Sequence, residues 1–170
     1  AVALGDKFNN LKSTSIKKIC TDIHALPSAI AQMLNMENEI KFVAQNIKNA
    51  KSIIFLGRGL LYPLALEGAL KLKEISYIHA AGYPAGEMKH GPIALLDKKV
   101  PVISIATPGE VFDKVISNAQ EAKARDAYLI GVAPQCNGTE IFDYLMTIPP
   151  TNQWISPLLL RENKSLPMNF

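Results

Sequence analysis

The chain predicts an α/β fold, a three-layer sandwich with a parallel, doubly wound sheet preceded by N-terminal helices. Three observations predict it. Short, continuous apolar runs at Ser52–Leu56, Val100–Ala106 and Ala127–Ala133 have the composition of strands buried on both faces. Between and before them, apolar residues recur at helical spacing. The two patterns then alternate along the chain, which is the order of a parallel sheet with right-handed crossovers covering both faces.

Residues 1–14 are polar and irregular and read as a linker. Residues 15–50 form an N-terminal helical segment. Ile16, Ile19, Ile23 and Leu26 recur at helical spacing, Pro27 punctuates, and Ser28–Leu34 resumes a short helix. Ile40, Val43, Ala44 and Ile47 mark a second amphipathic stripe, from about Glu37 to Asn49. The α/β subdomain spans 51–160. Its first strand enters a Gly57-Arg58-Gly59 turn, and a helix of about Tyr62–Tyr77 leaves it. Ala80–Leu96 fits neither period. It carries Gly82, Pro84, Gly86, Gly91 and Pro92, with Glu87, Lys89 and His90 between them, and long irregular segments of this kind are often functional. The second strand ends at Thr107-Pro108-Gly109. Val111, Val115, Ala119 and Ala122 mark the next helix, ending near Arg125. A third strand follows, and Tyr144–Ile148 supplies a fourth. Residues 161–170 form an atypical C-terminal tail.

At 170 residues the chain suits one domain with a substantial core. Its net charge of +3 is small and its basic residues are scattered, which argues against nucleic acid as a partner. No apolar run reaches the roughly 18 residues of a membrane span, and no signal peptide is visible. Cys20 and Cys136 share no motif spacing and read as reduced thiols of a cytoplasmic protein. The three histidines lack neighbours at ligand spacing, so neither a metal nor a cofactor is expected. The first residue is Ala, as in a piece of something longer.

The chemistry concentrates on the helix after the glycine turn. Glu67, Lys71 and Glu74 lie at i, i+4 and i+7 on one narrow stripe, while the rest of the circumference is nearly all apolar. That composition predicts a buried helix, in which charges are unfavourable unless paired or facing a cleft. Glu74 is therefore a candidate proton-transfer base, its basicity raised by burial and lowered by Lys71. The plainer alternative is an ion-pair ladder on a solvated face. Gly57, Arg58 and Gly59 sit at the carboxyl end of a strand, where backbone N–H groups take phosphate; the alternative is a tight turn. His90, in a Lys-His-Gly-Pro corner, is a candidate proton shuttle or a polar loop residue. His79 reads as a partner of the helix C-terminus, and His24 has no partner in sequence.

The string ALEGALKLKEISYIHAAGYPAGEMKHGPIALLD, with FLGRG before it and Leu26–Ser28 earlier, closely resembles the second sugar-isomerase (SIS) subdomain of the glutamine–fructose-6-phosphate aminotransferase family. The likeness runs from about residue 20 to residue 160. It implies the SIS fold and an enzyme that makes glucosamine 6-phosphate from fructose 6-phosphate with ammonia from glutamine. It also implies a cytoplasmic homodimer that binds sugar phosphates. By position it implies Glu74 as the base of a proton shift between C1 and C2, and Lys71 as its neighbour. His90 matches the histidine of sugar-ring opening, contributed across the dimer. From their places at the strand end and on the charged stripe, Gly57, Arg58, Gly59 and Glu67 are the candidate substrate contacts.

Three departures qualify the likeness. Neither the Cys-Gly-Thr-Ser nor the Ser-x-Ser-Gly-Glu-Thr phosphate loop of the first SIS subdomain occurs, and no glutaminase domain is present. Trp154–Leu160 resembles the start of the family's last large helix, but Arg161–Phe170 does not continue it. A truncated helix is expected to expose Trp154, Ile155 and Leu158–Leu160. The expectations are an incomplete isomerase fragment, inactive by itself; a non-catalytic sugar-phosphate-binding module; or a dimerising scaffold.

Overall fold

The computed structural model describes residues 2–8 and 12–162. Its centre is a five-stranded parallel sheet in the order β2-β1-β3-β4-β5, with β1 Ser52–Gly57, β2 His79–Pro84, β3 Val102–Ile105, β4 Leu129–Ala133 and β5 Tyr144–Thr147. The helices are α1 Val2–Lys7, α2 Ser13–Leu34, α3 Glu37–Ile47, α4 Tyr62–Ser76, α5 Phe112–Lys123 and α6 Ser156–Glu162. The α/β sandwich expected from the alternating patterns is thus present.

Side-chain alternation explains the layers. On β1, Ile53 and Phe55 join one core with Met33 of α2, Val43 and Ile47 of α3, Ala65, Ala69 and Leu72 of α4, and Leu159 of α6. Ile54 and Leu56 point the other way, into a second core with Val115 and Ala119 of α5 and Met88 of the 3₁₀ segment Ala85–His90. A strand apolar on both faces needs cover on both faces, and here it has it. The chain crosses from β1 to β2 by α4 on one face. It returns to β3 and on to β4 on the other, so the strand order reverses between β1 and β3.

Four local expectations change. Within the presumed linker 1–14, Val2–Lys7 is helical and α2 already begins at Ser13. Pro27 lies inside α2 rather than ending it. An interior proline costs about 3 kcal/mol, and burial of Ala29 and Met33 just beyond it holds the second half of the helix on the core. The irregular segment from Ala80 contains an edge strand, β2, paired in register with β1 from Ser52↔His79 to Gly57↔Pro84. Of the apolar residues expected to be exposed near the C-terminus, Trp154 and Leu158 are. Ile155 and Leu159 are buried, Leu159 within the core that α2 and α4 also line. The helix α6 carries through Arg161 and Glu162; the rest of the tail lies outside the described residues.

Candidate functional site

The helix α4 is buried on one side only. Ala65, Ala69 and Leu72 are inside, whereas Leu66, Leu70 and Ile75 are 43%, 43% and 48% exposed. The expectation of a helix buried all round is therefore corrected: an apolar circumference does not force burial where nothing among the described residues covers the outer face. Tyr77, in the left-handed conformation at φ 60°, caps the helix by donating its N–H to the Lys73 carbonyl.

Lys71 Nζ donates to Glu74 Oε2 at 2.8 Å, with both side chains about half exposed. The Glu74 hydrogen bond and then its charge raise the Lys71 pKa above the ordinary lysine value, against a smaller opposing effect of burial, with Glu67 adding to the rise. Lys71 is thus held as an ammonium on its neighbour. Its stem runs along a cavity of about 210 Å³ lined by Val43, Ile47, Phe55, Leu72 and Ile103. This hollow is not sugar-shaped chemistry. A hexose there would bury hydroxyls without partners, so any sugar meeting Glu74 does so on the solvent side of α4.

Gly57 and Gly59 bracket Arg58 at the carboxyl end of β1. A Cβ on Gly57 would lie 2.3 Å from the Leu61 carbonyl oxygen, so the turn into α4 requires glycine there. Arg58 Nη1 donates to Asn118 Oδ1 of α5 at 3.3 Å. Because β1 and β2 are parallel, α4 runs back along the sheet. The twelve steps from Tyr62 to Glu74 span about 18 Å at 1.5 Å per residue. The glycine turn and the Lys71–Glu74 pair therefore sit at opposite edges of the sheet and are not brought together. Glu67 lies between them on the same stripe.

His90 is exposed at the end of the 3₁₀ segment that follows β2. It lies towards the carboxyl edge, again away from Glu74. Its neighbour Lys89 pairs with Glu121 of α5 at 2.9 Å, which ties the segment down. His79 is not a helix-end partner. It opens β2, and its Nδ1 lies 3.0 Å from Ser52 Oγ across the β1–β2 ladder. His24 does have a partner, the Cys20 carbonyl at 2.8 Å from its Nδ1. Asp143, which no sequence pattern singled out, binds Lys123 and accepts the Leu129 N–H at 2.8 Å, joining α5, β4 and β5. Among the described residues no group of three or more His, Cys, Asp or Glu is arranged to hold a metal ion, and no helix is long and apolar enough to cross a membrane.

A parallel sheet wound in this order, with helices on both faces, points to a class. The SIS domain family matches residues 46–138, and the chain belongs to it. The particular relatives are glutamine–fructose-6-phosphate aminotransferases (isomerizing). That of Synechocystis sp. is 54% identical over 162 residues, which are 94% of this chain and 26% of the relative. That of Gloeobacter violaceus is 56% identical over 147 residues, 85% and 24% respectively. The chain spans about a quarter of the length of these curated relatives. The solved C-terminal domain of glucosamine-fructose-6-phosphate aminotransferase from Francisella tularensis matches with a TM-score of 0.88 at 35% identity, covering 97% of this chain and 48% of that one. The chain thus corresponds to part of the isomerase portion. Glucosamine-6-phosphate deaminase from Thermotoga maritima, at a TM-score of 0.61 and 24% identity, shares the fold.

Proposed function

We propose that this chain is the second SIS subdomain of an aminotransferase that converts fructose 6-phosphate to glucosamine 6-phosphate. Glu74 is its proton-transfer base. When a ketose imine becomes a 2-amino aldose, a proton leaves C1 and one arrives at C2, and a single carboxylate on one face of the sugar can take the first and return the second. The Lys71–Glu74 pair carries this reading, because it presents an oriented carboxylate at the surface rather than in the core. The sugar phosphate is held by parts of the enzyme beyond this chain, since the family's phosphate loops are not in the sequence.

His90 serves ring opening in the site of a second copy. Glu74 and His90 stand towards opposite edges of one sheet, so one chain does not supply both to one sugar, and a homodimer does. Cys20 and Cys136, unpaired and exposed, suit a reducing cytoplasm.

The test is a chimera in which this chain replaces the matching quarter of the Synechocystis enzyme. It is expected to make glucosamine 6-phosphate, and its Glu74→Gln variant to lose exchange of the sugar proton with water. The chain alone is expected to give negligible turnover of fructose 6-phosphate with ammonia. Full exchange in the Glu74→Gln chimera rejects the assignment.

A further inference from the structure

His90 is exposed, so its own packing does not place it; the segment that carries it does. Ala85 and Met88 of the 3₁₀ segment Ala85–His90 are fully buried, in the core that Val115, Ala119 and Ala122 of α5 also line. Beyond Met88 the hold passes to charge. Lys89 Nζ meets Glu121 Oε1 of α5 at 2.9 Å. Gly91 follows His90 at φ +145°, a conformation at ease only in glycine, and Pro92 comes next. His90 thus stands between one tether and one stiff corner.

The start of the segment is tied to the same helix. Arg58 Nη1 donates to Asn118 Oδ1 of α5 at 3.3 Å. The same Nη1 lies over Gly86, 2.7 Å from where a Cβ would stand. Asn118 and Glu121 are three residues apart on α5 and so share a face. Glu121 Oε1 takes the Lys89 ammonium, while Oε2 is buried with no hydrogen-bond partner among the described residues. A buried acceptor left unmet costs stability, and a partly exposed ion pair adds little against that cost. A carboxylate kept at such a place serves geometry more than stability.

We propose that Glu121 is a positioning residue for the opening of the sugar ring: through Lys89 it fixes the backbone that presents His90 to the site of a second copy. This rests on the ring-opening reading of His90 above and adds the group that holds it. Arg58 and Asn118 set where the segment starts, and Glu121 sets where it ends. Glu121 itself touches no substrate. Its effect is through distance, since a misplacement of about 1 Å in a reacting group costs up to about a hundredfold in rate.

A double-mutant cycle on fructose 6-phosphate turnover by the chimeric enzyme tests this. His90→Asn is expected to lower turnover about a hundredfold. Glu121→Gln keeps the shape and removes the charge. It should lower turnover about tenfold in the parent and less than about twofold in the His90→Asn background, because a group that acts only through His90 then has nothing left to place. The melting temperature should stay within about 2 °C. In the 170-residue chain, Glu121→Gln should quicken amide hydrogen exchange at 87–91 about threefold or more and leave β3 and β4 unchanged. Equal losses from Glu121→Gln in the two backgrounds mark a merely structural role and overturn the proposal, as does unchanged exchange at 87–91. Should His90→Asn leave turnover intact, the ring-opening reading falls and the proposal with it. Should His90→Asn abolish turnover while Glu121→Gln leaves it whole, the proposal falls alone.

Discussion

Lys71 Nζ and Glu74 Oε2 meet at 2.8 Å within one turn of α4, on the solvent side of a helix whose inner face is core. The pair is positioned by the helix and not by burial, so its stability role and its chemical role separate. In the chimeric enzyme Glu74→Gln should lower proton exchange by about a hundredfold or more. The melting temperature should hardly move, because half-exposed pairs add little to stability. A large loss of stability with exchange retained reverses the assignment. The raised Lys71 value has the opposite pH sense to a carboxylate. Its contribution is whole below the unfolded lysine value of about 10.4 and fades only as pH rises through the higher folded one.

The two glycines of the turn do different work. Gly57 is closed in by the Leu61 carbonyl, and Gly59 is open but at positive φ. Gly57→Ala should therefore lower stability by about 3 kcal/mol or more as backbone is displaced. Gly59→Ala should cost about 1 kcal/mol from the left-handed conformation alone. Urea unfolding midpoints of the two variants check the order, and equal midpoints contradict it.

Asp143 sets an acid limit. Burial pushes its carboxyl up, but the Lys123 hydrogen bond, the Leu129 N–H and the Lys123 charge outweigh that and hold it below the usual carboxylate range. A depressed folded value means the contribution is whole above the unfolded pKa of about 3.9 and is lost as pH falls through the folded one. Asp143→Asn should lower stability near neutrality and flatten its decline below about pH 4. Parallel acid limbs for the two proteins in thermal scans would contradict this.

If Glu74 and His90 serve one shared site, their separation predicts association. At micromolar concentration the chain should sediment as a dimer, helped by the exposed Leu66, Leu70 and Ile75. A monomer across the range removes the shared-site arrangement.

Much of the fold was legible because β1 needs apolar residues on both faces and α5 on one, patterns that survive in sequence. The edge strand β2 was not. Its Gly82 exists to let α4 approach, a Cβ there lying 2.9 Å from Leu66 Cα, and a strand shaped by that contact loses its alternation. The Lys71–Glu74 pair was readable from helical spacing alone. Its exposure was not, because composition says which surface is greasy and not whether anything lies over it. The Lys89–Glu121 clamp was unreadable for another reason: Glu121 reaches it from a distant stretch, and no local pattern links α5 to the Lys-His-Gly-Pro corner.

The all-parallel ladder has a consequence for biosynthesis. Ile54 of β1 must wait for Val102 of β3 before one of its two neighbours exists. At roughly 5–20 residues per second, the intervening stretch takes several seconds to leave a ribosome. During that interval a strand that is apolar on both faces has an unfinished edge. Nascent copies are then most open to chaperones and to each other, and slowing translation ahead of Val102 should reduce the yield of folded protein.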